Sequence, residues 1–214
     1  HGSILVDCCS RCGDVASGER IVAGMEASGV HVSIQAKTAL LKGYAHSGQM
    51  NKGAELYRDM CASAAAAGRD RRDQPNVRTL NTLLRGCLWT AASLSYSMTN
   101  KGNGDPIPVV AGGVATSEEA WKLSKNIPAV VFDASSYEYS IALLCQALRC
   151  DEAKQRLDEM KQALNTSADG SAMESVAVSS LYLARAYALL GNNVKALEYA
   201  KASIRVIDES VTMA

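Results

Sequence analysis

The strongest constraint on this chain is that it repeats itself. Leu5-Val6-Asp7-Cys8-Cys9-Ser10-Arg11-Cys12-Gly13 aligns with Leu40-Leu41-Lys42-Gly43-Tyr44-Ala45-His46-Ser47-Gly48 at a shift of 35 residues. Gly13 and Gly48, Gly18 and Gly53, and Met25 and Met60 share that offset. A third copy opens at Asn76-Val77-Arg78-Thr79-Leu80, where Leu83-Leu84-Arg85-Gly86 restates Leu40-Leu41-Lys42-Gly43 at a shift of 43. The eight extra residues fall within 62–73. A fourth copy runs from Ser135 through Cys150-Asp151-Glu152-Ala153 to Met160, and a fifth from Leu181 through Gly191 to Val206. Fixed periods of this length belong to solenoid architectures, in which no single unit can bury its own apolar face.

Each copy contains two helical patterns. Leu80, Leu83, Leu84 and Cys87 recur at i, i+3, i+4 and i+7, which puts them on one stripe of a helix. Met50, Ala54, Tyr57 and Met60 form a second stripe after the break at Gly48. The expected fold is therefore all-α, a solenoid of about five antiparallel helix pairs in a single domain. The repeats run over approximately 3–33, 34–76, 77–133, 134–170 and 171–210. Thr116-Ser117-Glu118-Glu119 and Ser171-Ala172-Met173-Glu174 read as capping boxes that open the second helix of copy three and the first of copy five. Residues 93–115, with Lys101-Gly102-Asn103-Gly104-Asp105-Pro106 inside them, read as a long surface loop that could be deleted in part at little cost. Residues 126–133 read as an extended connector packed on the array.

Composition narrows the function classes. The 214 residues carry 22 Lys plus Arg and 22 Asp plus Glu, so a polycation that coats nucleic acid without selectivity is excluded. The balance is +3 over residues 1–92 and −3 over 93–214, so any footprint for a polyanion belongs to the first half. No apolar run approaches the roughly 18 residues that cross a bilayer. Nothing at the start reads as a targeting segment, and a soluble chain without a membrane partner is expected. Seven cysteines, an odd number without a framework spacing, read as reduced and mostly buried small residues. Cys9-Ser10-Arg11-Cys12 lacks the second pair that a structural zinc site needs, so no metal and no cofactor are expected. HExxH, GxSxG and the phosphate-cradling GxxxxGK[ST] are absent, and no catalytic residue is expected within the chain.

The 35-residue pairs with Thr79-Leu80-Asn81-Thr82-Leu83-Leu84-Arg85-Gly86 after Pro75-Asn76-Val77, and with Gly48-Gln49-Met50-Asn51-Lys52-Gly53-Ala54-Glu55-Leu56-Tyr57-Arg58-Asp59-Met60, resemble the pentatricopeptide repeat family. Copy five is closer to a tetratricopeptide repeat. The resemblance implies single-stranded RNA binding at one base per repeat, read by the fifth and last side chains of each repeat. Copy two then offers Thr38 and Asn76, a pair that in the family goes with adenine, and copy three offers Asn81 and Asp133, which goes with uracil. Glu138 and Leu181 stand at the fifth position of copies four and five, so those copies resemble a cap or a protein contact more than a reader.

The residues alone agree in part. Gln35, Thr38 and Lys42, like Arg78, Asn81 and Arg85, fall at i, i+3 and i+7 and form polar stripes, suited to RNA backbone or stacking contacts around the reading residues. A solvated helix face is the alternative reading of the same stripes. A protein-interaction scaffold of tetratricopeptide type and an accessory domain of a larger RNA-processing enzyme are the competing functions. The resemblance also implies a mitochondrial or plastid setting. His1-Gly2-Ser3 reads as a cloning remnant, and the chain as a fragment of a longer protein.

Overall fold

The computed structural model of the chain describes residues 2–65, 74–93, 112–164 and 170–212. Ten helices, and no strands, lie among the described residues: α1 (Gly2–Arg11), α2 (Val15–Ala27), α3 (Ile34–His46), α4 (Met50–Ala65), α5 (Val77–Ser93), α6 (Gly112–Ser124), α7 (Ala134–Gln146), α8 (Cys150–Leu164), α9 (Gly170–Leu189) and α10 (Asn193–Thr212). In chain order they make five successive pairs, of which α1 with α2, α3 with α4, α7 with α8 and α9 with α10 pack together, an all-α helical-repeat fold. The chain divides into two compact units, residues 1–93 with 115–131 and residues 94–114 with 132–214.

In the first unit the leading helices of the three pairs stack in a row, α1 on α3 and α3 on α5, with α2 and α4 behind them. Val6, Val15, Ala39, Leu40 and Tyr44 form one buried cluster, against which Ile21, Val22 and Leu56 pack. Leu80, Leu83, Leu84 and Cys87 are all at most 1% exposed, so the stripe read from the sequence is the face that α5 buries. Tyr57 and Trp121 carry the core back to α6, where the Tyr57 hydroxyl lies 2.6 Å from Ser124 Oγ and Arg58 pairs with Glu119 at 2.8 Å. In the second unit α7 packs on α8 and α9, and α10 lies along α9 with the rings of Tyr187 and Tyr199 stacked at 5.6 Å.

The turn from the first helix of a pair to the second needs a left-handed residue. Gly13, Gly48 and Gly191 supply it with φ of 77°, 73° and 73°. Copy four puts Leu148 there at φ 57°, a conformation that costs a branched side chain about 1 kcal/mol. The glycines at the tenth position do something different. A Cβ built on Gly86 would stand 2.7 Å from the Cβ of Ala45 and 2.8 Å from Met50 Sδ, and one on Gly43 would stand 2.9 Å from Ser10 Oγ. The motif shared by copies two and three thus marks where adjacent leading helices come closest.

Four expectations need correction or limit. Helix α6 begins at Gly112, so Thr116 to Glu119 lie inside it and do not cap it, and of the expected loop Ser93, the last residue of α5, and residues 112–115 are helical. The rest of that loop, 94–111, and residues 66–73 of the extra segment lie outside the described residues. Helix α9 begins at Gly170, which puts Ser171 within its first turn. Cys61, Cys87, Cys145 and Cys150 are buried as expected, but Cys8 and Cys12 are exposed and Cys9 half-buried, because the outer face of α1 has no helix against it within the unit. Burial pushes the Cys87 thiol up to about 12 and that of Cys61 up to about 11. The connector over 126–133 buries Ile127 and Val130 and exposes Val131.

If α5 approaches α3 as closely as Gly86 indicates, Gly86→Ala will lower the thermal stability of the chain, by about 1–3 kcal/mol of overpacking. The helix propensity that alanine gains there is smaller than this. At Gly24 of α2, where a Cβ meets nothing within 4 Å, the same substitution will stabilise by about 0.5–1 kcal/mol. Paired melting curves followed by circular dichroism check both signs.

Candidate functional site

Thr38 lies in the second turn of α3 and Asn76 immediately before α5, two segments that are 38 residues apart in sequence. Thr79 joins them. Its hydroxyl shares a hydrogen bond with that of Thr38 at 2.9 Å. Its backbone N–H donates to Asn76 Oδ1 at 3.2 Å, and its hydroxyl donates to the same oxygen at 3.4 Å. Asn76 is thus the N-cap of α5, and the stacking of α5 on α3 carries Thr38 up to that cap. The structure brings the predicted pair of copy two into one polar cluster, with Thr79 fully buried beneath it.

The predicted pair of copy three is divided between the two units. Asn81 is half-buried on α5 in the first unit, whereas Asp133 belongs to the second. There Asp133 caps α7: its Oδ1 accepts the Ser136 N–H at 2.8 Å, and its own N–H donates to Ser136 Oγ at 3.4 Å, a reciprocal capping box. The last residue of a repeat is therefore, in copies two and three alike, the cap of the next leading helix.

Copy one contains a matching pair that the sequence reading passed over. Ser33 caps α3, accepting the Ala36 N–H at 3.4 Å, and its hydroxyl lies 3.1 Å from that of Ser3. Ser3 stands 35 residues before Thr38, so the same two repeat positions meet again. The offset was the signal that could have found it.

Behind these clusters run two inclined stripes. Thr38, Lys42 and His46 follow each other at i, i+4 and i+8 on α3, and Asn81, Arg85 and Trp89 occupy the same repeat positions on α5. Gln35 and Arg78 are exposed at the beginnings of the two helices, and Lys42 and Arg85 are half-buried. Among the described residues Lys42, Arg78 and Arg85 make no ion pair, whereas Arg11, Lys52, Arg58, Arg149 and Arg156 are engaged with carboxylates. The Arg85 guanidinium lies 4.9 Å from the ring centre of Trp89, and the His46 ring meets Trp89 at 5.1 Å and 76°.

Lys52 illustrates a cation already used. It donates to Glu19 Oε1 at 2.7 Å, and the Tyr44 hydroxyl donates to the same oxygen at 2.9 Å. Hydrogen bonds from Lys52 and then Tyr44 hold the Glu19 carboxyl below its ordinary range, while burial raises the Tyr44 phenol. Copy one carries Asp7 where copies two and three carry Lys42 and Arg85, and Asp7 is paired with Arg11 at 2.7 Å. In the second unit the fifth positions hold Glu138, half-buried, and Leu181, exposed.

Among the described residues no group of three His, Cys, Asp or Glu side chains converges as metal ligands, and no helix is long and apolar enough to cross a membrane. A small open cleft of about 120 Å³ lies in the first unit between Glu26, His31, Lys37 and Ser63.

Asn76→Ala will destabilise the chain by about 0.5–2 kcal/mol through loss of the α5 cap. Asn76→Asp keeps the acceptor and will leave the melting temperature nearly unchanged. Equal losses for the two variants in thermal unfolding would show that the cap contributes nothing. A family model for the pentatricopeptide repeat matches residues 37–63, which covers most of α3 and α4. No curated protein matches the chain.

Proposed function

We propose that this chain, a pentatricopeptide repeat protein on the match across α3 and α4, binds single-stranded RNA along the exposed stripes of α3 and α5. The observation that carries the proposal is the junction of Thr38, Thr79 and Asn76, with Lys42 and Arg85, which make no ion pair among the described residues, one turn further along the same helices. Side chains that donate and accept at a base edge stand beside charges that suit phosphate, which is the division of labour a sequence-selective RNA surface needs. Thr38 and Asn76 then read one base, adenine by the family's habit. Asn81 and Asp133 would read a neighbouring one, uracil by the same habit, with Gln35, Lys42, Arg78 and Arg85 around the strand. The acid at position 7 and the side chains of Glu138 and Leu181 restrict the reading surface to copies two and three. An organellar setting, mitochondrion or plastid, and a role in RNA processing, translation or ribosome assembly belong to the same reading and rest on the family alone.

A protein contact through the last pair is favoured by a specific observation. Leu190, Val194, Leu197 and Ile204 are 52%, 81%, 56% and 59% exposed and line one side of α10 and the turn before it. An apolar row of this size on one helix marks a surface for another protein. The two readings are compatible, since they use different units.

Base and phosphate contacts must respond differently to substitution. Lys42→Ala will weaken binding to every single-stranded RNA alike and reduce the salt dependence by about one phosphate contact. Asn81→Ala will cost about 1–3 kcal/mol on the preferred RNA and less on others. Asn76→Asp, which preserves the cap, will change the base preferred by copy two. Fluorescence polarisation against a panel of short RNAs at two salt concentrations decides. Identical effects on every RNA would remove the base-reading claim, and no binding by the intact chain at low salt would transfer the function to the protein-contact reading.

A further inference from the structure

Trp89 is the feature that neither the repeat pattern nor the proposed base readers account for. The chain has two tryptophans, and the fold treats them oppositely: Trp121 is 2% exposed inside α6, whereas Trp89 is 43% exposed on α5. Trp89 is not on the stripe that α5 buries, which is made by Leu80, Leu83, Leu84 and Cys87. It lies instead one turn beyond Arg85 on the polar stripe, with the Arg85 guanidinium 4.9 Å from its ring centre and the His46 ring 5.1 Å away. An indole held at the surface between a guanidinium and an imidazole has its orientation set before any ligand arrives.

We propose that Trp89, with His46 and Arg85, is a stacking platform for an unpaired nucleobase of the bound RNA, distinct from the base-edge readers at the other end of the same helices. The proposal rests on the RNA reading given above and adds a second kind of contact to it. A flat aromatic surface beside cations is the combination by which proteins hold single strands without regard to sequence, because every base has a π-face and every nucleotide a phosphate. Lys42 and Arg85 stand four residues before His46 and Trp89, about 6 Å along each helix axis, so phosphate and base of one nucleotide can meet cation and ring together. Neither cation has a carboxylate partner among the described residues, which suits a phosphate-bearing ligand better than an apolar peptide. The platform is confined to copies two and three. The residues at the position of His46 and Trp89 in the other copies are Arg11, Gln146 and Leu189, none of them aromatic.

The test is titration of the intact chain with single-stranded oligoadenylate, oligouridylate and oligocytidylate, read both by polarisation of labelled RNA and by tryptophan emission. Because Trp121 is buried, emission that falls in proportion to bound RNA, and does not fall in Trp89→Phe, belongs to Trp89. Trp89→Ala will weaken all three RNAs by roughly 5- to 150-fold, the loss of one base-aromatic stack, and Trp89→Phe will restore most of it. If Trp89→Ala fails to fold by circular dichroism, quenching of the unsubstituted chain and its absence in Trp89→Phe decide alone. RNA bound at unchanged affinity by Trp89→Ala, with no quenching in the parent chain, overturns the platform and leaves RNA binding intact. Absence of RNA binding by the parent chain overturns both, as does quenching by polyglutamate with none by RNA.

Discussion

How closely α5 can approach α3 decides everything the first unit presents to a ligand. Three contacts lie along that seam. At its start the hydroxyls of Thr38 and Thr79 meet at 2.9 Å, in its middle Gly86 lies against Ala45, and at its end His46 meets Trp89 at 5.1 Å. Two helices of ordinary side chains pack with axes about 8–10 Å apart, and a missing Cβ at the midpoint puts a pair at the near end of that range. Without it the hydroxyls would separate and Thr79, fully buried, would lose a partner in a place where water cannot replace it. The tenth-position glycine is thus a packing residue whose consequence is felt at both ends of the site.

Charge tells the same story at a different scale. A chain with zero net charge has no long-range pull on a polyanion, so attraction must come from a few cations that the fold leaves unneutralised. Most basic side chains near a carboxylate are engaged by it: Lys52 with Glu19, Arg58 with Glu119, Arg149 with Glu152. These pairs are largely exposed and each contributes little to stability. Lys42, Arg78 and Arg85, on the leading helices of copies two and three, make no ion pair among the described residues. Copy one departs by one residue, Asp7, and that acid consumes Arg11.

The sequence made the repeat, the helix pairs and the buried stripes readable because all three are periodic, and burial follows period wherever a neighbour stacks on each side. Where a neighbour is missing, the inference fails: Cys8 and Cys12 lie on the outer face of α1 and are exposed. Helix starts were read less well. Thr116-Ser117-Glu118-Glu119 has the wording of a capping box but lies within α6, which begins among the poor helix formers Gly112 and Gly113. The real box, Asp133 with Ser136, has Ser where the template expects Glu or Gln. Thr38 and Asn76 are paired in the sequence through the resemblance alone, and the hydrogen bonds that link them through Thr79 are a tertiary fact. Trp89 was invisible for the opposite reason, since a tryptophan on a helix reads as core until a structure places it outside.

A residue that caps a helix and reads a base has two tasks, and the chemistry of the side chain decides whether both can be done. Capping consumes one acceptor aimed at the backbone. Asn76 uses Oδ1 for this, taking both the N–H and the hydroxyl of Thr79, and none of the described residues engages its amide nitrogen. Ser33 has a single oxygen, and that oxygen accepts the Ala36 N–H while sharing a bond with Ser3, which uses up most of what a hydroxyl can offer. The same two repeat positions therefore meet in copies one and two, but only copy two keeps an unused polar atom at the cap. Position in the repeat brings the groups together; the second polar atom of an amide is what the proposed base contact at Asn76 would use.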